Sequence, residues 1–172
     1  MDIKSLLSKK RDNIINEAFN LIISTYPQQS QIFLKEKNRK FTNPIGYNTN
    51  LSVEQIIDNI VADADLESFL SPLENIIQIR AVQDFTPSQA VGFIFLIKKA
   101  IYSTLHKEAD SNELMELMSR IDSLALVAFD IFMKYRERLY DIKAKELMDR
   151  TWWLLKKWNI VTEVDDKILE NK

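Results

Sequence analysis

The chain contains no cysteine, a single histidine and only two glycines. Each shortage excludes chemistry. Without cysteine there is no disulfide, no thiolate nucleophile and no cysteine ligand, and one histidine leaves little from which to build a transition-metal centre. Gly46 and Gly92 alone cannot form a P-loop or a dinucleotide-binding fingerprint, which need several glycines at fixed spacing. Nucleophilic catalysis requires a nucleophile, a base and an orienting partner, and His106 is the sole imidazole available. His106 is expected in the last turn of its helix, where the helix dipole favours a cation. A non-enzymatic protein with no cofactor and no metal is the expectation.

Long apolar runs are missing as well. The longest, Ala90 to Ile97, is far below the roughly 20 residues that cross a bilayer, and the opening MDIKSLLSKKRDN lacks the apolar core of a signal peptide. This predicts a soluble, cytoplasmic protein with no direct membrane insertion. Charge of one sign is not in excess: 25 acids against 23 bases give -2. Between Lys134 and Lys157 the basic residues are interleaved with Glu137, Asp141, Glu146 and Asp149, the pattern of a solvated helix face and not of a nucleic-acid surface.

What is present is helix. Two glycines and four prolines are too few turn residues for a sheet protein, while apolar residues recur at three and four nearly everywhere. The class is all-α, and 172 residues suffice for one domain with an extension. Ile14 to Ile23 predicts a first helix that stops before Tyr26-Pro27, and Gln28 to Leu34 a short second one. Lys35 to Asn50 reads as a surface loop. Ser52 with Gln55, Ser71 with Glu74 and Thr86 with Gln89 each have capping-box spacing, predicting helices near 53–63, 72–83 and 87–106. Asp110 and Glu113 open a last helix with no glycine or proline from Ser111 to about Trp158.

That last helix changes character along its length. From Leu114 to Phe132 it is apolar on most sides, which suits a helix inside a bundle. Beyond Lys134 charges alternate around a narrow stripe. The chain therefore divides into a helical domain over 1–133, a projecting or dimerisation helix over 134–160, to which the resemblance given below assigns signalling, and a flexible acidic tail over 161–172. Tyr135, Leu139, Ile142, Trp152, Trp153 and Leu155 are the candidate dimer or partner interface, since large aromatics are enriched at the buried centres of interfaces.

Two further constellations bear on function. Asp63, Asp65, Glu67 and Glu74 fall at positions 1, 3, 5 and 12 of a calcium loop, but Ser68 stands where the turn needs glycine and Pro72 stands at position 10. The second is the segment RAVQDFTPSQAVGFIFLIKKAI, Arg80 to Ile101, in which Arg80, Gln83 and Asp84 precede the Thr86–Gln89 capping box and the most apolar helix of the chain. These five residues are the candidate switch or junction. Gly92 is expected to let a neighbouring helix approach closely.

This segment, with SRIDSLALVAFDIFMKYRERLYDIK after it and KKRDNIINEAFNLIISTYP and FTNPIGYN before it, resembles the N-terminal sensory domain of RsbR/RsbRD-type proteins, the RsbT co-antagonists of bacterial stressosomes. The resemblance runs from about Leu7 to Leu155. It implies a globin-like, all-helical bundle without haem that dimerises and passes a signal down its last helix to an output module. In the stressosome proteins that module is a STAS domain. The sequence ends at Lys172 without one, so the expectation is a stand-alone module, a homodimer whose other partner is a separate STAS, kinase or redox-complex protein. The competing expectation is a constitutive helical adaptor that docks through its C-terminal helix.

Overall fold

The protein is described by a computed structural model covering residues 2–37, 39–83 and 85–158. Among these residues there is no strand, and the chain is all-α with a long C-terminal helix. The helices are α1 (Ile3–Ile23), α2 (Gln28–Leu34), α3 (Pro44–Val61), α4 (Leu66–Ala81), α5 (Pro87–Val91), α6 (Phe93–Leu105) and α7 (Ser111–Lys157). Two compact units divide it, Met1–Tyr135 and Arg136–Lys172. The expected tail over 161–172 and residues 159–160 lie outside the described residues, as does Asp84.

In the first unit α1 packs on α3 and α6, α3 on α4, and α5 joins α4 to α6. One core draws on all of these helices except α2, and on α7 as well, with Phe93 and Phe132 fully enclosed. A smaller cluster of Phe19, Ile23, Tyr26 and Leu34 sits under the α1–α2 turn. Arg11 on α1 clamps Asp58 on α3 with two bonds of 2.5 and 2.8 Å.

Helix starts depart from the sequence reading in four places, the first being α1, which begins at Ile3 and already buries Leu6 and Leu7 ahead of the Ile14–Ile23 stretch. The loop expected over Lys35 to Asn50 ends early, because Asn43-Pro44 is itself a helix start: the Asn43 side chain accepts from Gly46 N at 3.0 Å and proline occupies the first turn. Its amide also donates to the carbonyls of Phe33, Leu34 and Glu36 at 2.9, 3.2 and 3.2 Å, closing the end of α2. Ser52 is therefore a buried residue inside α3, and the Ser52–Gln55 box does not form.

The Ser71–Glu74 box does not form either, since α4 begins at Leu66 and runs through Pro72. A proline inside a helix leaves the carbonyl four residues earlier without its amide. Here that carbonyl, of Ser68, accepts instead from the side chain of Asn59 on α3 at 2.8 Å. The long helix expected over 87–106 is broken at Gly92 into α5 and α6. A Cβ on Gly92 would lie 2.8 Å from the Ser88 carbonyl, so what the glycine accommodates is the chain's own tight turn and not a neighbouring helix.

The Asp110 start holds: its carboxylate accepts from Asn112 N and Glu113 N at 2.9 and 3.2 Å. Glu113 reaches across to accept from Ile3 N, at the first turn of α1. The first half of α7 buries one stripe only, Leu114, Leu117, Ile121, Leu124, Ala125, Ala128, Ile131 and Phe132. Met115, Leu126 and Phe129 are exposed, so the first half of α7 is not enclosed on most sides as its composition suggested, and α6 too exposes an apolar residue, Phe95. His106 caps α6 with its ring stacked on Tyr102, and its Nδ1 lies 3.0 Å from the Tyr102 carbonyl, which fixes Nδ1 as the donor.

Candidate functional site: a buried arginine junction

The inward face of α4 reads Leu73, Ile76, Ile77, Arg80 and Ala81, the three-and-four spacing of an apolar stripe. Arg80 occupies a place on that stripe where a leucine would be ordinary. Its residue exposure is 0%. The guanidinium lies 4.9 Å from the Phe85 ring centre and 5.5 Å from those of Tyr26 and Phe93, and Tyr26 meets Phe85 edge-on at 5.3 Å. Three aromatic faces thus surround one cation, an arrangement that the ring quadrupoles favour.

Two neutral acceptors hold the charge. Nη1 donates to the Gln89 carbonyl at 2.9 Å and Nη2 to the Thr25 hydroxyl at 3.0 Å. Among the described residues no carboxylate pairs with Arg80 and its Nε has no partner; Gln83 Oε1 is likewise buried and unpartnered. Burial pulls the guanidinium below its ordinary pKa, with Tyr26 opposing, and burial pushes the Tyr26 phenol up, with the Arg80 charge opposing. Tyr26 is therefore neutral at physiological pH, and Arg80 meets its ring and its phenol oxygen as a cation beside a neutral group, not as an ion pair.

The capping box at the start of α5 forms as the sequence indicates. Thr86 N donates to the Gln89 side chain at 3.0 Å, and Gln89 N donates to the Thr86 hydroxyl at 3.3 Å. Of the five junction candidates, Arg80, Thr86 and Gln89 come together through Gln89, Gln83 is partly buried with its side-chain oxygen enclosed and, among the described residues, unpartnered, and Asp84 is outside the described residues. Thr25, Tyr26 and Phe93 complete the site and were not singled out. Tyr26-Pro27 carried only a helix-stop signal, and nothing local to Thr25 indicates a partner 55 residues away.

In the second unit Ile142, Trp152 and Trp153 are exposed and Leu155 is partly buried. Leu139 is also partly buried, and Tyr135 lies in the first unit, against its core. The second unit further exposes Tyr140, Leu147 and Leu154, spaced by seven, with Met148 and Trp158. Lys157 lies over Trp153 and Arg136 over Tyr140, where it donates to the phenol oxygen at 2.8 Å. The seven-residue spacing was legible in the sequence but was masked by the alternating charges around it.

Among the described residues no helix is long and apolar enough to cross a membrane, and no cluster of three or more histidine, cysteine or acidic residues could hold a metal ion. No curated protein and no solved structure gives a significant match. The family model of the RsbT co-antagonist protein rsbRD N-terminal domain matches residues 12–147, a span that holds the whole Arg80 junction and most of α7. The chain belongs to the RsbT co-antagonist protein rsbRD N-terminal domain family.

Proposed function

We propose that this protein is a non-enzymatic sensory and regulatory module of bacterial stress or redox signalling. It acts as a cytoplasmic homodimer whose association, or whose hold on a separate STAS, kinase or redox-complex partner, responds to a ligand or partner. The observation that carries this reading is the pairing of the family match with the exposed positions Tyr140, Leu147 and Leu154 on α7. Apolar residues repeating every seven along a charged helix form the seam of a coiled coil, where a second helix buries them. The globin-like topology without haem is what family membership implies for the core.

Within the core, the element suited to a two-state response is the Arg80 junction. A buried cation held, among the described residues, by neutral acceptors contributes little to stability, because desolvation offsets what the bonds return. It does fix one arrangement of the α1 end, α4, α5 and α6, and a second arrangement needs only an exchange of acceptors.

Sedimentation over a micromolar concentration series tests the dimer. The wild-type chain is expected to associate, and Leu147→Glu to remain monomeric with unchanged helical content. A wild-type chain that stays monomeric at high micromolar concentration and retains no partner from its native lysate defeats the proposal. The exposed Trp152, Trp153 and Trp158 favour one second reading, a constitutive adaptor docking through these rings. An adaptor's affinity for its partner would be indifferent to small molecules, redox state and pH.

A further inference from the structure

We propose that the cleft between the α3–α4 corner and α7 binds a small amphipathic monocarboxylate, whose carboxylate takes Arg120 away from Asp63. The proposal rests on the sensory reading above and supplies the ligand class for it. The cleft has a volume of about 410 Å³, within the range of small-molecule sites, and its floor is apolar: Ile60, Phe69, Leu117, Ile121 and Leu124. Arg120 stands at the mouth. One of its amino groups donates to Asp63, and among the described residues no other guanidinium donor has a protein partner, leaving a planar fork for a second carboxylate.

Asp63 is an unusual residue for its place. It follows α3 in the left-handed region, φ 56°, the one such non-glycine position among the described residues. Asp63 N donates to Ile60 O at 3.2 Å and Ala64 N to Asn59 O at 2.9 Å, the pair of bonds that ends a helix in a Schellman turn, where glycine is the ordinary choice. Aspartate adds backbone strain that glycine would not. What the carboxylate provides is a grip on Arg120 of α7 and, at 2.8 Å, on Lys4 of α1. Both ion pairs are solvent-exposed and individually weak, so Arg120 is released at small cost.

The neighbouring charges select the ligand. Lys4 stays on Asp63 when Arg120 leaves, so the exchange strands no charge. Asp65 lines the cleft with a side chain that makes no capping bond to α4, and it repels a second negative charge, favouring a monocarboxylate over a dianion or phosphate. An ammonium head group would find Asp65 but would also face Arg120, and the cationic probe below separates the two charges. Binding unties α7 from the corner, the same α7 that continues into the exposed heptad.

The test titrates the full chain with sodium hexanoate by calorimetry, with hexylammonium chloride and hexanol as cationic and neutral probes of equal length. Hexanoate is expected to saturate a site that the other two do not, with Arg120→Gln weakening it about tenfold or more. Asp63→Asn, which removes the competing carboxylate and keeps its size, is expected to tighten it severalfold. Amide exchange in residues 114–124 should rise on binding. No saturable hexanoate binding, equal binding of hexylammonium, or an Arg120→Gln variant that binds like wild type overturns the site. Sedimentation of the same samples separates the two claims: a dimer that ignores hexanoate defeats the site alone, and a monomer that binds hexanoate defeats the dimer alone.

Discussion

Arg80 donates to the main-chain carbonyl of Gln89, and the side chain and amide of that same Gln89 close the capping box with Thr86. One residue therefore joins the start of α5 to a cation buried at the end of α4. Because both Arg80 acceptors are neutral, the junction depends on shape and direction more than on charge balance.

Volume and charge at this position can be separated. Arg80→Ala removes a fully enclosed side chain and is expected to cost about 3 kcal/mol of unfolding free energy. Arg80→Met keeps most of the volume without the desolvation of a charge and is expected to match or exceed wild-type stability. Urea denaturation measures both. An Arg80→Met variant as unstable as Arg80→Ala would show that the two hydrogen bonds, and not the packing, hold the corner.

Asn43 satisfies three carbonyls of the α2 end and one amide of α3. Asn43→Ala leaves buried acceptors unpaired and removes a helix cap, an expected loss of about 3 kcal/mol. Asn43→Asp should not rescue it, because a carboxylate cannot donate to those carbonyls. Gly46→Ala is expected to be severe as well, since its Cβ would fall 2.2 Å from the Leu34 carbonyl and 2.4 Å from Asn43 Nδ2. A Gly46→Ala chain with wild-type melting behaviour would contradict this close approach.

The tolerance of Pro72 inside α4 depends on Asn59. In the wild-type background Asn59→Ala should cost roughly 1 kcal/mol, the worth of the bond to Ser68 O. In a Pro72→Ala background, where residue 72 regains an amide for that carbonyl, the same substitution should cost less than half as much. A double-mutant cycle of melting data reads the difference, and additive effects would break the link between the two residues.

Acid stability carries a sign that can be checked. Lys4 and Arg120 hold the Asp63 carboxyl below its ordinary pKa. A carboxyl lowered on folding contributes stability above its unfolded value, about 3.9, and that contribution fades as pH falls through the lower folded value. Asp63→Asn should therefore be less stable than wild type near pH 7 by an amount that shrinks below pH ~4. Salt should shrink it too, because both ion pairs are exposed. A difference constant from pH 7 to pH 2 would mean the ion pairs play no part.

The sequence by itself determined the class of the protein and its punctuation where the signal is local. Scarce glycine and proline with three-and-four periodicity specify helices, and Thr86–Gln89 and Asp110 start helices because their partners lie within three residues. The motif around Arg80 also indicated the family. Tertiary structure alone decided where distant groups meet. Asn43-Pro44 looked like a loop until the α2 carbonyls were in place to receive the asparagine amide, and Pro72 looked like a first residue because its remedy, Asn59, belongs to another helix. Arg80 could be seen to sit on an apolar stripe, but Thr25, Tyr26 and Phe93 come from α6 and the end of α1, and only the packed bundle brings those acceptors and rings around one charge.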